Sequence, residues 1–228
     1  MIYMGTPDFA VPSLKALIDA GENVTAVFTQ PDKPQGRKMK LTPPPVKVCA
    51  EENGIPVYQP VSLKKGEDAK KAFDTIRDMA PELIVVAAYG KILPPEILSL
   101  PKYGCINVHA SLLPAYRGAG PIQWSIINGE SRTGVTTMQM AEGLDTGDML
   151  VSKAVDIMPD ETADELHDRL AVLGADVLLD TIAQLKEGKL SPVKQDDALS
   201  SYAPMLSKEL SPMDFLCGLA EIYGGQFL

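Results

Sequence analysis

The sequence predicts an α/β fold in which a mostly parallel, twisted sheet carries helices on both faces and an antiparallel hairpin late in the domain. Short apolar runs without polar alternation occur at residues 2–4, 24–29 and 83–88, as expected for strands that are buried on both faces. Segments with helical spacing lie between these runs, and this alternation is typical of right-handed crossover units in a parallel sheet. Two further strands are predicted at residues 134–140 and 149–157, and the short turn-rich segment between them predicts a hairpin.

Three helices are predicted between the first strands. An apolar stripe from Val11 to Ile18 ends at Gly21, and further helical spacing covers residues 46–53 and 69–79. A glycine follows each of the first two helices and a proline follows the third, as is typical where helices end. These helices are the crossovers that a parallel sheet requires.

A long helix is predicted after the hairpin. Apolar residues recur on one face over residues 166–185, and Thr162 and Glu165 have the spacing of a capping box. Gly188 ends this helix. Residues 191–204 are polar and loosely patterned, which predicts a linker.

Composition narrows the functional classes. The chain has 228 residues, of which 45% are hydrophobic, so it can bury the core of one large domain. The net charge of −9 disfavours non-specific binding of nucleic acid, so such a partner would need a local basic feature. Neither a basic and apolar leader nor a run of roughly 18 apolar residues appears, which predicts a cytoplasmic protein without membrane contact. The three cysteines fit no metal-ligand spacing, and no metal is expected.

Polar side chains concentrate in residues 106–121, INVHASLLPAYRGAGP. The strand is predicted to run from Ile106 to Ser111, so Asn107, His109 and Ser111 would share one face because strand side chains alternate. Such a polar wall is either a solvated face or a reaction site. Ligands of open α/β sheets bind beyond the carboxyl ends of the strands, where three loops stand out: 5–9, 88–94 and 110–121.

The sequence alone leaves the role of each polar residue open. A lone strand histidine is more often structural, but Asn107 on the same face favours a function for His109. An aspartate in the GLDTGD turn, Asp145 or Asp148, is usually a turn former. An amide, an imidazole and a carboxylate together suit transfer of an acyl or formyl group, because aimed donors stabilise the charge that develops on a carbonyl oxygen.

These residues resemble those of a known family. Asn107 and His109, the SLLPAYRGAGP run and the later GLDTGDML segment resemble the folate-dependent formyltransferases over about residues 1–206. The opening MGTPDFA and the segment QPDKPQGRKMKLTPPPVK further resemble the bacterial members that act on methionyl-tRNA. The basic loop in that segment is the discriminating feature, since relatives that act on sugar nucleotides or glycinamide ribonucleotide generally lack it.

The resemblance implies a Rossmann-like fold and a reaction. The enzyme would transfer a formyl group from the co-substrate 10-formyltetrahydrofolate to the α-amine of methionine on initiator methionyl-tRNA. Asn107, His109 and Asp145 match the family's catalytic trio. Asn107 and His109 would stabilise the developing oxyanion, and Asp145 would orient the histidine and assist proton transfer.

The resemblance also implies binding residues. The folate would lie against three segments: Tyr89, Gly90, Lys91, Ile92 and Leu93; Ser111, Leu112, Leu113 and Pro114; and Glu142, Gly143 and Leu144. Ordinary turn chemistry explains the glycines equally well, and core packing is the favoured explanation for Leu112 and Leu113. Three basic residues would contact the acceptor end of the tRNA, although a solvated loop is the simpler alternative: Arg37, Lys38 and Lys40.

The family's chains are longer and carry a C-terminal domain that binds tRNA. We therefore expect residues 1–190 to form the catalytic domain, and residues 191–228 to be a linker and the truncated start of that second domain. A monomer is expected. Two alternatives stay open: a formyltransferase acting on a sugar nucleotide or another small amine, and a folate-binding module with little activity.

Overall fold

A computed structural model describes residues 1–36 and 39–207. Seven strands form one sheet in the order β5-β2-β1-β6-β7-β8-β9, and β3 and β4 form a separate antiparallel ribbon. The strands are β1 (Ile2–Gly5), β2 (Ala26–Phe28), β3 (Lys33–Gln35), β4 (Lys40–Thr42), β5 (Val57–Tyr58), β6 (Ile84–Ala87), β7 (Cys105–His109), β8 (Arg132–Gln139) and β9 (Met149–Asp156).

The pairing directions confirm the predicted sheet. Strands β5, β2, β1, β6 and β7 are parallel to one another, whereas β7–β8 and β8–β9 pair antiparallel. The predicted hairpin is therefore β8 and β9, and its first strand also pairs with β7. The register places the start of the loop between β8 and β9 beside Cys105, the first residue of β7.

The helices are α1 (Val11–Asp19), α2 (Pro45–Glu52), α3 (Gly66–Met79), α4 (Pro95–Leu98), α5 (Pro121–Ile127) and α6 (Ala163–Lys186). The four longer helices were predicted, although α3 begins earlier than expected. Helices α4 and α5 were not predicted, because they are too short for an apolar stripe to repeat. Their only local signal is a proline in the first turn, which suits an N-terminus that needs no backbone donor.

Helix α6 begins as predicted. The Thr162 hydroxyl accepts from the Glu165 backbone N–H, and a Glu165 carboxylate oxygen accepts from the Thr162 N–H. This capping box satisfies backbone donors that the helix leaves free. Further along, Gly174 lets α6 lie close to the sheet, since a Cβ there would be 3.1 Å from Val108 Cγ1.

The sheet has an apolar core on each face. Ile106 and Val108 of β7 pack in one core with Leu166 and Leu170 of α6, whereas Cys105 packs in the other. Alternation along β7 therefore places Asn107 and His109 on the Cys105 side. Helices cover both faces, as predicted.

Strand β7 ends at His109, so the prediction that it continues to Ser111 is wrong. The last paired residues are His109 and Thr136. Beyond them the chain turns, because the Ser111 carbonyl accepts from the Thr136 hydroxyl and the Ser111 hydroxyl donates to the Ala115 carbonyl. Asn107 and His109 share the strand face, and Ser111 belongs to the loop.

Residues 191–207 lie along the domain. Val193 and Met149 exchange two backbone hydrogen bonds of 2.8 Å, and Arg117 exchanges backbone bonds with Ser201 and Ala203. Ala203 is fully buried. We call residues 191–207 the C-terminal strap; the predicted domain boundary at residue 190 stays a prediction. Within the described residues, no helix is long and apolar enough to cross a membrane.

Candidate active site

The site lies beyond the carboxyl ends of the parallel strands, where the loops after β1, β2 and β6 meet. The Thr6 hydroxyl donates to the Tyr89 carbonyl at 2.9 Å. Gln30, which follows β2, donates its side-chain amide to the same carbonyl at 3.0 Å. One carbonyl thus joins three loops, which fixes this rim of the site.

His109 is the last residue of β7 and is 6% exposed. Its Nε2 lies 2.9 Å from the Tyr116 carbonyl oxygen, and its Nδ1 lies 3.7 Å from Asp145 Oδ2. A carbonyl oxygen only accepts, so the first contact assigns a proton to Nε2. At 3.7 Å the second contact is too long for a direct hydrogen bond. Nδ1 is therefore the ring nitrogen left for a substrate.

Asp145 approaches His109 from the loop between β8 and β9. Its φ of 51° lies in the left-handed region, which aspartate tolerates in turns. Its Oδ2 accepts from the Gly118 N–H at 2.8 Å, and the side chain is 13% exposed. Asp148 is exposed. Asp145 is therefore a turn residue, and its carboxylate also faces the His109 imidazole. Of the two aspartates in the turn, Asp145 is the one beside His109.

Gly118 lies close to both Asp145 and the C-terminal strap. Its φ is 115°, and a Cβ there would lie 2.6 Å from the Ala203 carbonyl oxygen. A larger residue would strain the backbone and push the strap away. The Gly118 N–H can therefore reach the Asp145 carboxylate only because glycine allows this close approach.

Asn107 lies two residues before His109 on the same strand face and is half-buried. Among the described residues, its side-chain amide makes no hydrogen bond. Its backbone is fixed between Val86 of β6 and Met138 of β8. Asn107 thus offers an amide donor from a rigid position beside the imidazole.

The segment after β6 divides into inward and outward residues. Tyr89 and Leu93 are buried in the second core, and burial raises the pKa of the Tyr89 hydroxyl. Gly90 is exposed, and Lys91 donates to the Val61 carbonyl. Ile92 is 63% exposed. The Gly90 backbone and the Ile92 side chain are therefore the exposed groups of this segment.

The other two predicted folate segments differ in the same way. Ser111 and Leu113 are buried, and Leu112 packs over Gly134, where a Cβ would lie 2.6 Å from Leu112 Cδ2. Packing therefore accounts for these three residues, and Pro114 is half-buried. The segment in the β8–β9 loop is exposed throughout: Glu142, Gly143 and Leu144.

The basic ribbon is the two-stranded sheet of β3 and β4, which is separate from the main sheet. Arg37 and Lys38 lie outside the described residues, and Lys40 is exposed. The base of the ribbon is anchored, because Asp32 accepts from Lys47 at 2.9 Å and from Gln59 at 2.7 Å. The Gln59 hydrogen bond, followed by that of Lys47, lowers the pKa of Asp32.

A cavity of about 340 Å³ separates the ribbon from the loop after β1. Its lining combines the prolines of both segments with a few polar side chains: Thr6, Pro7, Asp8, Gln30, Pro31, Lys33, Thr42, Pro44 and Pro45. The ribbon and the loop that carries Thr6 therefore share one open space at the sheet's carboxyl edge.

Sequence reasoning missed Gln195 of the strap. Its side chain is 6% exposed, and its Nε2 donates to the carbonyls of Asp145 and Gly147. It lies in a polar tract with no periodic pattern, so nothing in the sequence distinguished it from its solvated neighbours. Only the fold brings it beside Asp145.

Comparison with known proteins identifies the family of this chain. The model of the family described as formyl transferase matches residues 1–182. A methionyl-tRNA formyltransferase of Geobacter metallireducens is 58% identical over 215 residues, which cover 94% of this chain and 68% of the relative. That of Clostridium novyi is 52% identical over 223 residues, covering 98% and 71%.

Solved structures share the fold at low identity. A sugar 3N-formyl transferase, crystallised with dTDP and 5-N-formyl-THF, superposes with a TM-score of 0.70 at 20% identity and covers 94% of this chain and 73% of its own. Glycinamide ribonucleotide transformylase 1 from Symbiobacterium toebii gives 0.69 at 17% identity, covering 86% and 92%. These two matches support the Rossmann-like fold alone.

The chain belongs to the formyl transferase family. Within it, identity and coverage place the chain among the methionyl-tRNA formyltransferases. The resemblance that the sequence motifs predicted is confirmed, as are the fold class and the enzyme class.

Proposed function

We propose that this chain transfers a formyl group from 10-formyltetrahydrofolate to the α-amine of methionine on initiator methionyl-tRNA. Family membership supplies the reaction class. One structural observation carries the proposal: Nδ1 of His109 and Oδ2 of Asp145 are 3.7 Å apart at the end of β7, next to Asn107.

The reaction needs an aimed donor and a route for a proton. The α-amine forms a bond to the formyl carbon, the bond from that carbon to the folate nitrogen breaks, and the proton lost by the amine ends on that nitrogen. Negative charge develops on the formyl oxygen during attack. The Asn107 amide and a protonated Nδ1 of His109 would stabilise it, because fixed donors in a site with little water act strongly on developing charge.

His109 suits this role because its ring is held from one side. The Tyr116 carbonyl fixes Nε2, so rotation of the ring is opposed and Nδ1 faces the site. Asp145 would stabilise the imidazolium and pass a proton through water, since its carboxylate is partly exposed. Asn107, His109 and Asp145 are thus the proposed catalytic residues.

We propose that the folate contacts the outward-facing residues of the site. The pterin carries an amide edge and an apolar ring, so backbone groups from Tyr89 to Lys91 would bond the edge. The exposed side chains of Ile92 and Leu144 would contact the ring. The buried Leu93, Ser111 and Leu113 and the half-buried Leu112 would shape this surface from beneath, with Pro114, Glu142 and Gly143 at its rim.

The proposed tRNA contact is the basic ribbon with Arg37, Lys38 and Lys40. A chain of net charge −9 repels phosphates overall, so a local basic element has to supply the attraction. We further propose that residues 1–190 are the catalytic domain and that residues 191–228 lead into a region that binds tRNA. We also propose that this translation enzyme is a cytoplasmic monomer.

A formyl-transfer assay tests this function. The chain, given 10-formyltetrahydrofolate, is expected to formylate methionyl-tRNA and to leave glycinamide ribonucleotide and amino-sugar nucleotides unchanged. Turnover of only the small amines would overturn the proposed substrate. Folate binding without turnover of any amine would favour a binding module instead.

A further inference from the structure

We propose that Gln195 is a positioning residue for the transfer reaction, acting through Asp145. This inference rests on the proposed function, because it assigns Gln195 to the machinery of that site. Gln195 lies in the strap, 50 residues from Asp145 in sequence, and its side-chain hydrogen bonds within the described residues go to Asp145, Gly147 and Arg117.

The Gln195 amide is fully used. Its Nε2 donates to the Asp145 carbonyl at 2.8 Å and to the Gly147 carbonyl at 2.7 Å, while its Oε1 accepts from Arg117 Nε at 2.9 Å. Carbonyls only accept and Arg117 Nε only donates, so the amide has one possible orientation. Both N–H donors hold the catalytic turn.

These bonds close a ring around the catalytic carboxylate. Gln195 holds the Asp145 backbone and binds Arg117, and the next residue, Gly118, donates its N–H to Asp145 Oδ2 at 2.8 Å. The Asp145 main chain and its carboxylate are therefore fixed by two adjoining groups. Their positions set the 3.7 Å separation between the carboxylate and the His109 ring.

Gln195 is buried, which makes the loss of its hydrogen bonds costly. Gln195 is 6% exposed, whereas Lys194 and Asp196 on either side are exposed. Removing the amide would leave the buried Gly147 carbonyl and the half-buried Asp145 carbonyl without their donor, which is more costly than losing a solvated contact. By contrast, Arg117 also pairs with Asp197, a residue whose side chain is 84% exposed, and such a pair contributes little.

Attachment of the strap does not depend on Gln195. The strap also exchanges backbone bonds with Met149 and Arg117, and its Pro204 carbonyl accepts from Trp124 Nε1 at 2.8 Å. A variant at position 195 should therefore keep the strap in place and lose the grip on the turn. This separation distinguishes a positioning role from a purely structural one.

Two variants and a matched control test the proposal. Gln195→Met keeps the side-chain length without hydrogen bonds, and Gln195→Glu keeps the shape but faces the two carbonyls with a carboxylate. The exposed neighbour gives the control, Lys194→Ala. Both Gln195 variants are expected to lower kcat about 10- to 100-fold, the range that a misplaced catalytic group produces. KM for the folate should change less than about threefold, and the control should match the wild type.

A second readout does not need turnover. The Gly118 amide hydrogen should exchange with solvent faster in both Gln195 variants, because its acceptor on Asp145 is no longer fixed, and at the wild-type rate in Lys194→Ala. If Gln195→Met does not fold, Gln195→Glu decides. Unchanged exchange at Gly118 in a folded variant overturns the proposal.

A double-mutant cycle separates the two roles. In an Asp145→Ala background, Gln195→Met should lower kcat no further, since the residue acts through Asp145. A full additional loss in that background would overturn the inference and indicate a structural role. If the wild-type chain formylates no amine, the proposed function is wrong. The Gly118 exchange measurement then still shows whether Gln195 fixes the Asp145 turn.

Discussion

The end of β7 and the basic ribbon are held in different ways. His109 and Asp145 are fixed by half-buried backbone groups, the Tyr116 carbonyl and the Gly118 N–H, and by the buried Gln195 side chain. In the ribbon, Lys40 and Leu41 are exposed, and anchoring comes from the ion pair at its base. The first region suits chemistry that needs fixed geometry. The second suits contact with a large charged partner, so the two functions should respond separately to mutation.

The largest expected effect lies in the first region. His109→Ala should reduce kcat by about 10²- to 10⁴-fold, the usual contribution of a group that transfers protons or stabilises charge. Folate affinity should stay near that of the wild type, because the proposed folate contacts lie elsewhere. Single-turnover kinetics and a folate binding titration measure the two quantities.

His167→Ala is the matched control, since it removes the chain's other histidine, a half-buried residue of α6 that packs against Phe9. This control should keep wild-type kcat. Equal loss of folate binding and turnover in His109→Ala would assign that residue to folding or binding instead of chemistry.

The basic ribbon should give the opposite result. Replacing Arg37, Lys38 and Lys40 by alanine should raise KM for methionyl-tRNA and flatten its dependence on salt, because each lost phosphate contact removes about 0.7 to 0.9 from the logarithmic slope. Folate affinity should not change. Initial rates at several salt concentrations measure the slope.

The control variant removes the same amount of positive charge on and beside α3, by replacing three lysines with alanine: Lys64, Lys70 and Lys71. An equal effect from this control would mean that net charge, and not the ribbon, attracts the tRNA.

A smaller effect is expected at the base of the ribbon. The pKa of Asp32 is lowered in the folded chain by the Gln59 and Lys47 contacts, so its stabilising contribution is present above the unfolded pKa of about 3.9. That contribution is lost as pH falls through the lower, folded pKa. Asp32→Asn should therefore reduce Tm slightly at pH 7, and the difference from wild type should vanish in acid.

Thermal unfolding from pH 7 to about pH 2 measures this difference, because the contribution is lost only below the ordinary carboxylate pKa. Asp160→Asn is the control, because Asp160 is exposed in a loop. A Tm difference for Asp32→Asn that grows as pH falls would contradict the assigned ion pair.

Local patterns were sufficient to predict most of the fold. The apolar runs marked the parallel strands because strands buried on both faces need no polar residues, and the Thr162–Glu165 spacing marked the start of α6. The boundary at Ser111 failed because side-chain alternation continued after pairing with β8 had ended. A strand's end depends on its neighbours, which local sequence does not describe.

The site was predictable only in part. Asn107 and His109 could be associated because two residues along a strand share a face. The residue pattern did not distinguish Asp145 from Asp148, since both suit a turn, and Asp145 was chosen only through the family resemblance. Gln195 had no distinguishing pattern, so its contacts with residues far away in sequence were missed.

A crystal structure of the chain with a 10-formyltetrahydrofolate analogue would show whether the proposed donors reach the formyl group. Nδ1 of His109 and the side-chain amide of Asn107 are both expected about 3 Å from the formyl oxygen, the distance expected for oxyanion donors. A formyl group bound beyond hydrogen-bond reach of both side chains, in a folded and active protein, would contradict this expectation.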